Sequence, residues 1–427
     1  MTLSSKFRFV FMCITVLLIS LPMISAAGVE IVDGVILDGQ IRERSEFVDK
    51  FFYDDSDMYE RSYLRTRLSL AYTRIENTKL FVQIQDSRIL GTNSSDLSND
   101  FNLGIHQAYI KFKCRKNNSL WMQAGRFEVA YGRQRVLGAV GWSNVGRTFD
   151  GFRAGYIGDD VKFDLFLLKI DERYYHYREF PYIDYYYYDE NDRVLYGLYV
   201  KLLEDHLHLF GLYDYDHLEL ADETSDLKPM ISRWTFGGHY YRKMKSGFDV
   251  ILDMALQTGA YYDADISAYM FAGEFGYMFD HEMNPRAAFG FDITSGDDGT
   301  DADEINTYSN LYYTGHAFRG YMDYFIVTPY EGLMDLVGRF KFNPANDITL
   351  ALDLHLFRTM EEYTVAGTDG EETSNAIGQE IDITVKHDIY DGLAAQLGAS
   401  IFSPSDDYYN DGNTATWFYF QLTANVK

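Results

Sequence analysis

Between Tyr63 and Thr73 the side chains sort by parity: Arg65, Arg67, Ser69 and Thr73 take one set of alternate positions, and Leu64, Leu68, Leu70 and Tyr72 the other. Strand side chains repeat every two residues, so such a segment has one wet face and one oily face. The same division separates Gln107, Tyr109, Lys111 and Lys113 from Ala108, Ile110 and Phe112. It also separates Arg286, Asp292 and Thr294 from Ala287, Phe289, Phe291 and Ile293, and Thr349, Asp353 and His355 from Ile348, Leu350, Leu352, Leu354 and Leu356. The last segment, 415–426, sets Phe418, Phe420, Leu422 and Val426 against Gln421, Thr423 and Asn425.

This rule predicts eighteen strands, near residues 35–46, 62–73, 79–88, 105–114, 119–127, 149–157, 160–170, 194–203, 206–215, 231–242, 247–257, 267–279, 285–294, 333–342, 347–358, 378–387, 392–402 and 415–426. Most reach the roughly nine to eleven residues that a tilted β crossing of a bilayer needs. The connections sort as well. Those after even strands are short, such as 74–78, 158–159 and 243–246, whereas those after odd strands include 128–148, 171–193, 295–332 and 359–378. A soluble sandwich has no reason to sort its loops by parity, but a barrel with turns on one side of a membrane and loops on the other does. The fold class read from the chain is therefore all-β: a transmembrane antiparallel up-and-down barrel of about eighteen strands, with short periplasmic turns and long extracellular loops.

The first residues supply a route to such a membrane. Lys6 and Arg8 precede an apolar run from Phe9 to Ile24, closed by Ser25, Ala26 and Ala27, so residues 1–27 read as a cleaved signal and 28–427 as a single barrel domain in the outer membrane. Cys13 lies within the apolar run, leaving Cys114 alone; one cysteine makes neither an internal disulfide nor a zinc cluster. Of 38 Lys and Arg against 64 Asp and Glu, removal of Lys6 and Arg8 leaves 36 against 64, a net charge of −28. With no basic stripe to neutralise phosphates, nucleic acid is not an expected partner.

A barrel of this size cannot fill its interior with wall side chains alone, so an aqueous channel is expected unless loops plug it. The inward parity carries Arg42, Arg65, Arg67, Lys111, Arg153, Arg233, Arg286, Arg339 and Lys341, together with Asp164, Asp253, Glu274, Asp292, Asp335, Asp353, Glu380 and Asp382. An Arg or Lys facing lipid at the midplane costs about 2 to 4 kcal/mol, which favours the inward placement. Such guanidinium groups either brace the wall through the acids or steer anions, and transport depends on those left unpaired. No nucleophile elbow or metalloprotease helix is present, so no catalytic residue, metal site or cofactor is assigned and the chain is not read as an enzyme. The tract Asp297 to Glu304 lacks complete EF-hand spacing and reads as a solvated loop, and Tyr185 to Tyr188 as an aromatic cluster near the mouth.

Several ordered segments carry a resemblance: Gly125-Arg126-Phe127-Glu128, Tyr131-Gly132-Arg133-Gln134-Arg135, Trp142-Ser143-Asn144-Val145-Gly146-Arg147-Thr148-Phe149-Asp150-Gly151, and His316-Ala317-Phe318-Arg319-Gly320-Tyr321-Met322-Asp323. With Arg65-Thr66-Arg67, Gln85-Asp86-Ser87-Arg88 and Phe289-Gly290-Phe291-Asp292, they make the chain similar to the alginate-export porins of Gram-negative outer membranes. That resemblance implies a monomeric barrel in outer-membrane lipid, passing an anionic polysaccharide through an arginine-rich constriction, with a periplasmic export machine as a supplier. It places Arg65 and Arg67 on the wall and Arg126, Arg147 and Asp150 near the narrowest point. With Arg153 and Arg286 from the wall pattern, these are the expected substrate-binding or pore-lining residues. The usual Gly-Arg-Gln reads Gly-Arg-Phe here at Phe127, and the wall holds about as many acids as bases. A general diffusion porin for small solutes is the alternative reading.

Overall fold

The computed structural model describes residues 28–49, 58–91, 102–173, 191–219, 229–365, 372–408 and 412–426. The expected signal, residues 1–27, and the Tyr185 to Tyr188 cluster lie outside the described residues. The strands are β1 (Val29–Val32), β2 (Val35–Asp49), β3 (Tyr59–Tyr72), β4 (Thr78–Ile89), β5 (Leu103–Cys114), β6 (Asn117–Phe127) and β7 (Phe149–Ile157). There follow β8 (Lys162–Arg173), β9 (Asn191–Leu202), β10 (Leu207–Glu219), β11 (Pro229–Lys243), β12 (Phe248–Tyr261), β13 (Ala264–Met278) and β14 (Arg286–Thr294). The last six are β15 (Glu304–Ile305), β16 (Leu333–Ala345), β17 (Ile348–Thr364), β18 (Thr373–Tyr390), β19 (Leu393–Pro404) and β20 (Ala415–Val426).

Eighteen of these, β2 to β14 and β16 to β20, close one antiparallel barrel in chain order. Closure comes from β20 returning to β2, with Gly39 opposite Val426 and Asp49 opposite Thr416. The short β1 doubles back on β2, and β15 pairs in parallel with β13 from within a loop. All eighteen predicted strands are present. The largest shift is at the β17–β18 hairpin, which continues to Thr364 and restarts at Thr373, where Tyr363 still pairs with Ser374. Pairing there runs past the region in which lipid on one side enforces alternation.

The outward parity carries exposed Leu68, Leu70, Ile110, Phe271, Phe275 and Leu354. This apolar band faces hydrocarbon. The buried apolar residues lie inside instead, because two long connections fold into the barrel. Residues 128–148 bring Val129, Tyr131, Val136 and Leu137 against Phe127, Phe149, Phe166, Leu168, Leu195, Tyr199 and Leu212 of β6 to β10. Residues 295–332 bring Met322 and Phe325 against Val48, Leu333, Phe357, Ile377, Phe402 and Trp417. The lumen is thus a packed interior with polar walls, and the expectation of an aqueous channel is modified by its own exception: loops occupy it.

Candidate functional site

The balance of charge within the barrel differs by arc, although Glu46 lies on the basic side and Arg286 and Arg339 on the acidic side. Strands β2 to β7 direct Arg42, Arg44, Arg65, Arg67, Lys79, Lys111 and Arg153 inward, while β12 to β18 direct Asp249, Asp253, Glu274, Asp292, Asp335, Asp353, Glu380 and Asp382 inward. The near-equality of acids and bases read from the sequence holds for the whole wall but hides this separation.

The loop 128–148 meets the two arcs with different chemistry. Towards the acidic side it extends Arg133, 3.6 Å from Glu274, and Arg135, 3.3 Å from Asp253 and also bonded to Asp292. From the second loop, Arg319 reaches the same Asp292 at 3.3 Å. The wall adds Arg339, 2.6 Å from Glu274 and 3.2 Å from Asp353, and Arg286, whose Nε lies 2.9 Å from Asp249. His355 sits 2.9 Å from Asp335. Five of the eight carboxylates on this arc, Asp249, Asp253, Glu274, Asp292 and Asp353, are therefore paired with arginines, while Asp335 and Asp382 face His355 and Glu380 accepts the Met322 N–H.

On the basic arc the loop offers backbone instead. Arg42 donates to the carbonyls of Gly141 at 2.8 Å and Ser143 at 3.0 Å, and Arg65 donates to the same two at 3.1 and 2.9 Å. These arginines are cross-strand partners, a pairing of like charges that costs energy by itself. The shared carbonyls hold them together through charge-assisted bonds worth about 1.5 to 3 kcal/mol each. Among the described residues neither Arg42 nor Arg65 has a carboxylate within ion-pair distance. Arg44 donates to the Trp142 carbonyl at 2.7 Å, stacks over the Trp142 ring at 3.9 Å, and pairs with Glu46 at 2.8 Å. Deeper in the arc, Arg67 lies 3.3 Å from Glu128 and 2.9 Å from His106, which itself touches Glu128 at 2.9 Å. Burial alone would raise the Glu128 carboxyl, but His106 and Arg67 outweigh it and hold Glu128 below the usual carboxylate range.

Arg147 locks the two loops to each other. Its guanidinium donates to the Tyr312 carbonyl and, at 3.0 Å, to that of Tyr313. Trp142 completes the junction by stacking on His316 at 4.0 Å. Two spaces remain. An outer cavity of about 820 Å³ is lined by Arg44, Glu46, Arg61, Trp142, Arg147, His316 and Asp323. A smaller one of about 270 Å³, by the short-turn ends of β7, β8 and β9, is lined by Lys111, Trp121, Arg153, Asp164, Lys162 and Lys201. Arg153 lies 5.1 Å from the Trp121 ring centroid and Lys111 4.2 Å.

Five of the expected residues therefore reach the interior: Arg65, Arg67 and Arg153 on the basic arc, Arg147 at the loop junction, and Arg286 on the acidic arc as a brace. Arg126 and Asp150 do not. Trp121, Gln123 and Phe127 of β6 are buried inward, so Arg126 takes the opposite parity and pairs with Asp150 on the outer face, their side chains 46% and 50% exposed. The solvated reading of the 297–304 tract also needs correction at one residue: Asp297 is buried and accepts the N–H groups of Gly299 and Asn306 at 2.8 and 3.0 Å. Sequence reasoning missed Arg44 and Glu46, although both continue the parity of Arg42, and missed Arg133, Arg135 and Arg319, whose loop positions have no period to read.

A closed eighteen-strand barrel with an apolar outer band, charged inner walls and infolded loops defines an outer-membrane channel of the porin class. The match to the alginate-export family spans residues 34–420, and the chain belongs to that family. No curated protein sequence matches the chain. Among solved structures, it is similar to OccK11 (OpdR) of Pseudomonas aeruginosa at 12% identity, covering 94% of this chain and 98% of that one with a TM-score of 0.59. It is also similar to OccAB3 of Acinetobacter baumannii at 9% identity, covering 92% and 99%, TM-score 0.60. A third is OpdK of Pseudomonas aeruginosa with vanillate, at 10% identity, covering 92% and 99%, TM-score 0.56. At these identities the likeness is one of fold.

Proposed function

We propose that the channel passes an anionic polysaccharide of the alginate type by facilitated diffusion, along the basic arc. The observation that carries this reading is the partner of each cation. Most acids opposite are paired with Arg133, Arg135, Arg319 and Arg339, whereas Arg42 and Arg65 face carbonyl dipoles and have no carboxylate paired with them among the described residues. A uronate carboxylate is a stronger partner for a guanidinium than a peptide carbonyl. Dispersed sites of this kind draw a polyanion in and let it go, which a single tight pocket does not. Arg65, Arg67, Arg147 and Arg153 are the contact residues in this reading; Arg286 braces, and Arg126 and Asp150 play no part in the passage.

Planar-bilayer recording of the purified protein tests the proposal with uronate oligomers and neutral oligosaccharides as blockers. Block by uronate that weakens in Arg153→Ala and Arg67→Gln is expected, and cation preference with equal block by both sugars would overturn it. That second outcome belongs to a general diffusion porin, a reading favoured by the separate cavities of limited volume, about 820 and 270 Å³, in place of one continuous wide passage.

A further inference from the structure

The recess of about 270 Å³ by the short turns of β7, β8 and β9 is lined by four cations, Lys111, Arg153, Lys162 and Lys201, and by one carboxylate, Asp164. Rows of cross-strand partners build it. Trp121, Gly155, Asp164 and Tyr199 stand in one row across β6 to β9, and a Cβ at Gly155 would lie 2.6 Å from the Trp121 indole, so only glycine leaves room for the ring there. One row further in, Gln123 stands between Lys111 and Arg153. One row nearer the periplasm, Lys162 and Lys201 face each other directly, a like-charge pairing that costs energy by itself. Ala130 and Tyr131 of the infolded loop roof the recess, so a ligand reaches it from the periplasmic side. At the rim Lys162 is tied to Asp205 at 2.7 Å. Among the described residues Lys111, Arg153 and Lys201 have no carboxylate within ion-pair distance. Arg153 donates to Gln123 at 3.3 Å, and the Trp121 ring centroid lies 4.2 Å from Lys111 and 5.1 Å from Arg153. An aromatic ring is a weaker partner than a carboxylate and leaves both cations open to an anion. Asp164 has one oxygen taken by the Tyr131 hydroxyl at 2.8 Å, and its other oxygen has no hydrogen-bond donor among the described residues.

We propose that this recess is a periplasmic loading seat for a single sugar acid, with the carboxylate on Lys111, Arg153 and Lys201 and a ring hydroxyl donating to the open oxygen of Asp164. The sugar ring occupies the space between Trp121 and Tyr199, over Gly155. Asp164 sets the choice of ligand: an anion without hydroxyl groups meets its charge and returns no hydrogen bond, whereas a hydroxylated one satisfies cations and carboxylate together. The volume admits one ring and not a run of them, so the ligand is a free sugar acid or the terminal residue of a chain, which present the same groups. The inference rests on an anionic saccharide as the cargo and adds the end of the channel at which that cargo is first bound.

Isothermal titration calorimetry of the purified protein in detergent, with glucuronate, glucose and inorganic sulfate as titrants, tests it. Glucuronate is expected to bind at one site per chain, and glucose and sulfate about tenfold or more weaker. The Lys111→Ala/Lys201→Ala double variant should lose about tenfold or more in glucuronate affinity, and Asp164→Asn should narrow the gap between glucuronate and sulfate; an unchanged amide circular dichroism spectrum shows that each variant has folded. A uronate trimer that displaces glucuronate assigns the seat to a chain end, and one that does not assigns it to the free acid. Absence of glucuronate binding in the wild type, sulfate bound as tightly as glucuronate, or equal glucuronate affinity in the folded double variant would each overturn the proposal. Block of ion current by long uronate chains reports on the cargo separately: block without a glucuronate site removes the seat alone, and glucuronate binding in a channel that those chains do not block removes the cargo and keeps the seat.

Discussion

At the level of single residues, the interior depends on a few arginines that hold backbone. Arg65→Ala removes bonds to two loop carbonyls, each worth about 1.5 to 3 kcal/mol, and relieves the repulsion with Arg42. The loss exceeds the relief, so the loop 128–148 should loosen; bilayer recordings are expected to show larger and noisier openings, with the folded barrel intact on a gel. Glu128 gives this junction a pH dependence. Its carboxyl is held below the usual range, so its contribution is complete above the ordinary carboxylate pKa and is lost as pH falls through its own lower value. Channel noise should therefore stay flat from about pH 6 to 8 and rise only on acidification below about 4, and Glu128→Gln should abolish that rise. Gly320 marks a steric limit. Its φ of +77° and a would-be Cβ 2.6 Å from the Glu380 carboxyl leave no space for a side chain, just where the Met322 N–H reaches Glu380 at 2.8 Å. Gly320→Ala is expected to cost about 1 to 3 kcal/mol in the docking of its loop, measurable as faster proteolysis of residues 295–332.

Among the elements, the strands were legible and the loops were not. Alternation located all eighteen crossings because water on one side and lipid on the other impose it residue by residue, as at Leu64 to Thr73. Arg126 shows where the resemblance, which set it near the narrowest point, departs from the strand's own parity. The parity of β6 was visible in Leu120, Met122 and Ala124, but Trp121 and Phe127 on the other parity are aromatic and disguise the inner face, because they pack on an infolded loop and Arg153 instead of on water. On the basic arc the placement of residues 128–148 rests on carbonyl acceptors at Gly141, Trp142 and Ser143, and every peptide has a carbonyl, so no residue type announces that half of the contact. Replacing residues 133–146 with a short Gly-Ser connection should leave the strand ladder in place, since each crossing pairs with its neighbours independently of the loop. Conductance is expected to rise several-fold; an unchanged value would mean that the current does not pass the loop at all.

For the molecule as a whole, the apolar core is enclosed by a wall that closes only when β20 meets β2. Both infolded loops bind residues far apart around that wall: 128–148 touches β2 and β3 on one side and β12 to β14 on the other. Such a seat does not exist on an open sheet. Assembly must then proceed in two acts, with the hoop formed first and the filling drawn in afterwards. During refolding into detergent, amide circular dichroism should reach its final value before the Trp142 and Trp417 fluorescence does. A newborn barrel, briefly hollow, would be at its leakiest before it had begun its work.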